Sequence, residues 1–106
     1  MKLLGEIVVT DEKLTRYMLQ WRPVSDKSKF LLMAGYSQDN WQLLQKEIRE
    51  LAENGKAIFE DEGEYGVFYS VAGSLHGPNE KTLHVRTIWM KEHSSNQTRF
   101  ITLYPL

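Results

Sequence analysis

The sequence predicts an α+β domain in which N-terminal helices pack on one face of a C-terminal antiparallel sheet of four strands, or of five if Ile7, Val8 and Val9 add an edge. Three observations predict it. Up to Asn54-Gly55, apolar residues recur at spacings of three and four, as on an amphipathic helix. Beyond that point the period falls to two, that of a half-buried strand. Finally, 106 residues with 42% hydrophobic and 25% charged side chains suit one core, so a single domain over residues 1–106 is expected.

The first helix has Thr10 or Asp11 as its cap and Leu14, Tyr17, Met18 and Trp21 at helical spacing, and Pro23 ends it. A second, short helix begins at Ser25 with Asp26 in its first turn and carries Phe30, Leu31, Met33 and Ala34. It meets Gly35 where a left-handed C-terminal cap belongs. The third helix repeats Trp41, Leu44, Ile48 and Leu51, with Leu43 and Ala52 widening the stripe. Its outer face alternates Glu47 and Glu50 with Lys46 and Arg49, a solvated surface. Strands are expected at 56–60, 65–75, 82–92 and 98–104, with turns at Glu62-Gly63, Gly77-Pro78-Asn79 and Ser94-Ser95-Asn96. Such short turns imply an antiparallel meander.

Composition removes several function classes. Without cysteine there is no disulfide, thiolate metal site or cysteine nucleophile, and the cytoplasm is the default compartment. The apolar run before Thr10 is broken by Gly5 and Glu6, too short for a signal or a membrane span, so no membrane association is expected. The sequence lacks a Gly-rich phosphate loop, an HExxH pair, a GxSxG elbow and any His or carboxylate cluster at metal-ligand spacing, so neither metal nor cofactor is expected. A net charge of −1 predicts no bulk attraction to polyanions, so nucleic-acid binding requires local clustering. Asp61, Glu62 and Glu64 form an acidic knot, whereas Arg86, Lys91 and Arg99 lie in the C-terminal third.

Alternation divides the strands into two faces. The core face collects Val67, Tyr69, Val71, Leu75, Leu83, Val85, Trp89, Ile101 and Leu103. The opposite face collects Ser70, His76, His84, Arg86, Thr102 and Tyr104 beside Phe68, Ile88 and Met90. Imidazole, guanidinium, hydroxyl and phenol are the groups that metal-free RNA cleavage uses. A base takes the 2′-hydroxyl proton, a cation offsets phosphorane charge, and an acid protonates the leaving 5′-oxygen. The same residue types are also common on any exposed sheet face through propensity alone. Trp21, Trp41 and Trp89 fall at apolar positions and read as core or interface anchors, and His93 reads as a surface histidine at a turn.

Four segments together carry a resemblance: Glu12-Lys13-Leu14 running to Tyr17-Met18-Leu19, Lys27-Ser28-Lys29-Phe30 ending in Gly35-Tyr36, Val85 to Trp89, and Arg99-Phe100-Ile101-Thr102-Leu103-Tyr104-Pro105. They are similar to a small bacterial family found as short stand-alone genes and as C-terminal tails of larger toxin-like proteins. That family in turn resembles the barnase, EndoU, colicin and RelE-like ribonucleases, which pack N-terminal helices on a four-stranded antiparallel sheet. The resemblance implies roles for Lys27, Arg86, Arg99, Thr102 and Tyr104, and a small cognate protein inhibitor. His84 enters from the face assignment alone. By parity, Arg99 falls on the covered face unless the strand bulges before Phe100.

The resulting expectation is a metal-independent endoribonuclease toxin with His84, Arg86, Thr102 and Tyr104 catalytic and Lys27, Lys29 and Arg99 binding the RNA substrate. The alternative is a non-catalytic interaction module, antitoxin-like or regulatory, which the near-zero net charge and the Asp61–Glu64 acids favour. A small-molecule enzyme has no motif to support it. The sequence leaves the oligomeric state open, a homodimer included.

Overall fold

In the computed structural model, which describes residues 1–23 and 26–106, the change of period at Gly55 separates a helical layer from a sheet. The expected helix start at Ser25 lies outside the described residues.

Five strands form one sheet: β1 (Glu6–Val8), β2 (Ala57–Glu62), β3 (Gly66–His76), β4 (Thr82–Glu92) and β5 (Gln97–Pro105), in the order β1-β5-β4-β3-β2. β2 to β5 make the expected antiparallel meander. The sheet as a whole is mixed, because β1 runs parallel to β5, pairing Glu6, Ile7 and Val8 with Gln97, Thr98 and Arg99. This corrects the wholly antiparallel sheet. The chain leaves β1 through the helical layer before starting the meander at β2, which leaves β1 the edge beside the last strand. The pairing stops at Val8 because Val9 turns into the core.

The first helical segment, Lys13–Met18, departs most from its expected pattern. The Leu19 amide donates to the Leu14 carbonyl at 2.8 Å, five residues back, the hydrogen bond of a π-type turn. More residues per turn rotate the apolar stripe. Leu14, Met18 and Leu19 are buried, whereas Tyr17 and Trp21 stand 49% and 61% exposed, so both leave the core expected of them.

The short helix α1 (Ser28–Leu32) buries Leu31, and Ala34 follows it into the core. Met33 is exposed instead of core-facing. Gly35 takes φ +91°, the left-handed conformation expected at that stop. A turn at Gln38–Asn40, closed by reciprocal hydrogen bonds between Ser37 and Asn40, leads into α2 (Trp41–Asn54). α2 buries Leu44, Ile48, Leu51 and Ala52, while Leu43 points outward, narrowing the expected stripe. Gly73 on β3 lets α2 approach: a Cβ there would lie 2.7 Å from the Leu51 side chain.

One irregularity decides the faces of β5. Ile88 pairs with Thr102 and Trp89 with Phe100, so Ile101 is an extra residue between them. Phe100 therefore takes the core place expected for Ile101 and packs edge-on against Trp89, with centroids 5.4 Å apart. The parity of everything N-terminal to the bulge reverses, which carries Arg99 to the uncovered face. Trp89 is fully buried; its indole donates to the Thr87 hydroxyl at 2.8 Å, and that hydroxyl donates to the Val71 carbonyl at 2.7 Å.

Tyr36 joins the two layers. Its buried phenol donates to the His76 carbonyl at 3.0 Å. Burial, and then the nearby Glu47 charge, push its pKa well above the ordinary value of 10.0. The folded state thus holds the phenolic proton more tightly than the unfolded chain does. This stabilisation is complete below the ordinary tyrosine pKa and is lost as pH climbs above it. Tyr36→Phe is expected to cost about 1 kcal/mol at neutral pH and to flatten the decline in urea-midpoint stability above pH 10. An unchanged alkaline decline would assign that decline to other groups.

Candidate functional site

On the sheet face away from the helices, the register places Arg86 opposite Tyr104 on β5 and opposite Ala72 on β3. His84 stands two residues along β4 on the same side, roughly 6.7 Å away at the Cα by strand geometry. Tyr104 and His84 are exposed and Arg86 half-buried. Among the described residues the Arg86 guanidinium has neither a hydrogen bond nor an ion pair. The small side chain of Ala72 leaves room beside it. His84 Nδ1 lies 3.0 Å from the Ser74 hydroxyl, which fixes the ring and leaves Nε2 for a substrate. If the serine donates, Nε2 carries the proton as an acid; if Nδ1–H donates, Nε2 is a base. Glu60, bulged out of β2, brings a carboxylate to this face, where it accepts from Ser70 at 2.6 Å.

The face continues around the edge of β5. Because β1 covers β5 only as far as Arg99, the edge from Ile101 onward is open. Lys27 reaches this edge, donates to the Leu103 carbonyl at 2.9 Å, and lies 6.0 Å from the Tyr104 ring. Beside it is a hollow of about 550 Å³ lined by Lys13, Tyr17, Met18, Arg22, Lys27, Ile101 and Thr102. Lys13 and Arg22 both sit on the Tyr17 ring, 5.3 and 5.2 Å from its centre. Thr102, paired with Ile88, faces this hollow two residues from Tyr104.

Charge is therefore separated across the sheet. The β5 edge carries the cations, while Glu60, Asp61 and Glu62 lie on β2 at the opposite edge of the meander. A net charge of −1 conceals this.

A model of the family described as Domain of unknown function (DUF6883) matches residues 2–106. This chain belongs to the DUF6883 family. No curated protein and no solved structure matches it. For this DUF6883 member, what the site can do has to be argued from its own residues.

The remaining sequence-predicted residues lie elsewhere. Arg99, brought to the open face by the bulge, is bound by Glu92 and by Gln97 at 3.0 Å. Hydrogen bonds from Ser95 and then from Arg99 hold the Glu92 carboxyl below its ordinary range. Lys91 donates to the Ser95 and Glu92 carbonyls. Of the three C-terminal cations singled out by sequence, only Arg86 is left uncommitted among the described residues. Lys29 faces a different depression, with Trp21, Leu32 and Asp39. His93 sits in the β4–β5 turn and lies against the β2–β3 turn, its Nε2 3.0 Å from the Gly63 carbonyl.

Lys13, Tyr17 and Arg22 were absent from the predicted set. Their signal was the four-residue spacing of Lys13 and Tyr17, which puts a cation beside a ring on one helical face. Ideal helical periodicity assigned Tyr17 to the core instead. Among the described residues no three His, Asp or Glu side chains gather where they could hold a metal ion, and no helix is long and apolar enough to cross a membrane.

Proposed function

We propose that this DUF6883 member is a metal-independent endoribonuclease of the toxin type, acting in the cytoplasm and held in check by a small cognate protein. One observation carries the reading: an uncommitted guanidinium, Arg86, flanked on an open sheet face by the Tyr104 phenol and the His84 imidazole. The resemblance of its motifs to a toxin-linked bacterial family, which in turn resembles the barnase, EndoU, colicin and RelE-like group, supports it. RNA supplies its own nucleophile, so the protein needs only proton transfer and charge stabilisation. His84 Nε2 accepts the 2′-hydroxyl proton as that oxygen attacks phosphorus. Arg86 donates to the non-bridging oxygens as their charge rises. The Tyr104 phenol gives its proton to the departing 5′-oxygen, leaving a 2′,3′-cyclic phosphate and a 5′-hydroxyl.

In this scheme Thr102 and Lys27 hold the RNA strand at the β5 edge instead of touching the reacting phosphorus. Arg99, paired to Glu92, braces the far end of the strand. Lys29 has no part.

A second reading, a non-catalytic interaction module, is favoured by the outer edge of β2. There Ile58 and Phe59 stand 52% and 58% exposed beside Glu60, Asp61 and Glu62. Expression in a bacterial host without the cognate inhibitor separates the two. The ribonuclease reading expects growth arrest with fragmented cellular RNA. Normal growth, intact RNA and recovery of a bound protein would replace it with the second.

A further inference from the structure

Cations on a protein surface ordinarily sit in water or beside carboxylates. Lys13, Arg22 and Lys27 are only partly exposed, and no ion pair joins their side chains to a carboxylate among the described residues. Asp26 accepts from the Arg22 backbone amide at 3.2 Å. Each is half-buried, whereas their neighbours Arg16 and Lys29 are exposed. The hollow they line, about 550 Å³, has no acidic side chain in its wall, and none of the three forms an ion pair among the described residues. Two other hollows differ, although a third, lined by Met1, Lys2, Asn54, Gly55 and Lys56, also holds cations without an acid. The one beside β1 balances Lys2 and Arg49 with Glu6 and Glu53, and the one at Lys29 contains Asp39.

Gathering like charges and partly desolvating them disfavours the fold unless something negative offsets it. The cations are also held in place: Lys13 and Arg22 by the Tyr17 ring, and Lys27 by the Leu103 carbonyl. The Thr102 hydroxyl, which donates to the Leu103 carbonyl at 3.4 Å, adds a neutral polar group to the wall. An anion with several acceptor oxygens fits this set of groups. A mainly apolar or cationic ligand does not.

The location narrows the choice. Lys27 lies 6.0 Å from the Tyr104 ring, and Tyr104 stands opposite Arg86. The hollow and Arg86 are thus about two strand spacings apart, roughly 10 Å. A ligand bridging them must repeat its negative charge along an extended chain. We infer that the hollow of Lys13, Arg22, Lys27 and Thr102 binds a backbone phosphate of a single-stranded polynucleotide, neighbouring the phosphate at Arg86. Tyr17 is a positioning residue, its ring occupied by the two cations, and Tyr104 offers the exposed aromatic surface between the two phosphates. The inference rests on the ribonuclease reading only for which phosphate is cut, not for binding.

The test measures binding of a 2′-deoxy oligonucleotide, which lacks the attacking hydroxyl, by fluorescence anisotropy over a range of potassium chloride. Purified wild-type chain is compared with Lys13→Gln, Arg22→Gln, the double variant and Lys13→Arg. Melting temperatures are recorded for each. The double variant is expected to bind at least ten-fold more weakly at low salt, with the slope of log K against log salt smaller by about 1–2, while still melting cooperatively. Lys13→Arg is expected to keep the wild-type slope.

Unchanged affinity and slope in the double variant overturn the inference. Inorganic phosphate stabilising the chain as much as the oligonucleotide assigns the hollow to a free anion and overturns it. Polyglutamate displacing the oligonucleotide at equal charge concentration assigns it to an acidic protein and overturns it. A chain that cuts no RNA yet binds the oligonucleotide through Lys13 and Arg22 sinks the ribonuclease reading and upholds this one. Cleavage that proceeds with KM indifferent to both substitutions does the reverse.

Discussion

Arg86→Ala is expected to slow RNA cleavage by roughly 10²–10³-fold, the usual effect of removing one donor aimed at a developing oxyanion. Arg86 lies on the open face and makes no hydrogen bond or ion pair with another described residue, so its loss opens no cavity and strands no partner. The melting temperature should therefore stay close to that of the wild type. Arg86→Lys should recover only part of the rate, because an ammonium cannot span two phosphate oxygens as a planar guanidinium does. If the effect came from strand binding alone, 2′-deoxy oligonucleotide affinity would fall in step with the rate. The proposed mechanism instead expects the rate to fall much further than the affinity. Cleavage at wild-type rate by the alanine variant would remove Arg86 from the chemistry.

The largest expected effect on stability is at the other face. Trp89→Ala should cost about 3–5 kcal/mol, the range for emptying a buried aromatic site. Trp89 is the largest fully buried side chain, packs edge-on with Phe100, and supplies the indole donor to Thr87. Against total stabilities of about 5–15 kcal/mol for ordinary domains, such a loss leaves a large unfolded fraction at 37 °C. Trp89→Phe should cost less, since the ring volume is mostly kept and the Thr87 hydroxyl can still donate to the Val71 carbonyl. Urea unfolding measures both. Equal midpoints for the alanine and wild-type chains would mean that this core does not carry the fold.

These two substitutions lie three residues apart on β4, on opposite faces, and that separation was legible in the sequence. Alternation along residues 82–92 assigns Leu83, Val85 and Trp89 to the core and His84 and Arg86 to the open side, and the register agrees. Periodicity likewise placed α2 and its buried Leu44, Ile48 and Leu51. Parity failed where an extra residue was inserted. Nothing in Arg99-Phe100-Ile101-Thr102 announces a bulge at Ile101, yet that residue exchanges Ile101 for Phe100 in the core and turns Arg99 outward.

Helical period failed in the same way at Lys13–Met18. A five-residue hydrogen bond there rotates Tyr17 out of the core, and the helix ends at Met18, before the exposed Trp21. The strand β1 was legible as apolar residues but not as parallel, because direction depends on which sheet edge the chain can reach after the helices. The candidate site shows both outcomes. His84, Arg86 and Tyr104 follow from strand alternation, whereas the cations at the β5 edge converge from separate segments through tertiary packing that no local period encodes.

The measurement closest to the central claim is the end-group chemistry of RNA incubated with purified protein in excess chelator. The account predicts fragments ending in 2′,3′-cyclic phosphate and beginning with 5′-hydroxyl, formed by wild type and nearly absent with Arg86→Ala. Intact RNA, or fragments beginning with 5′-phosphate, would contradict it.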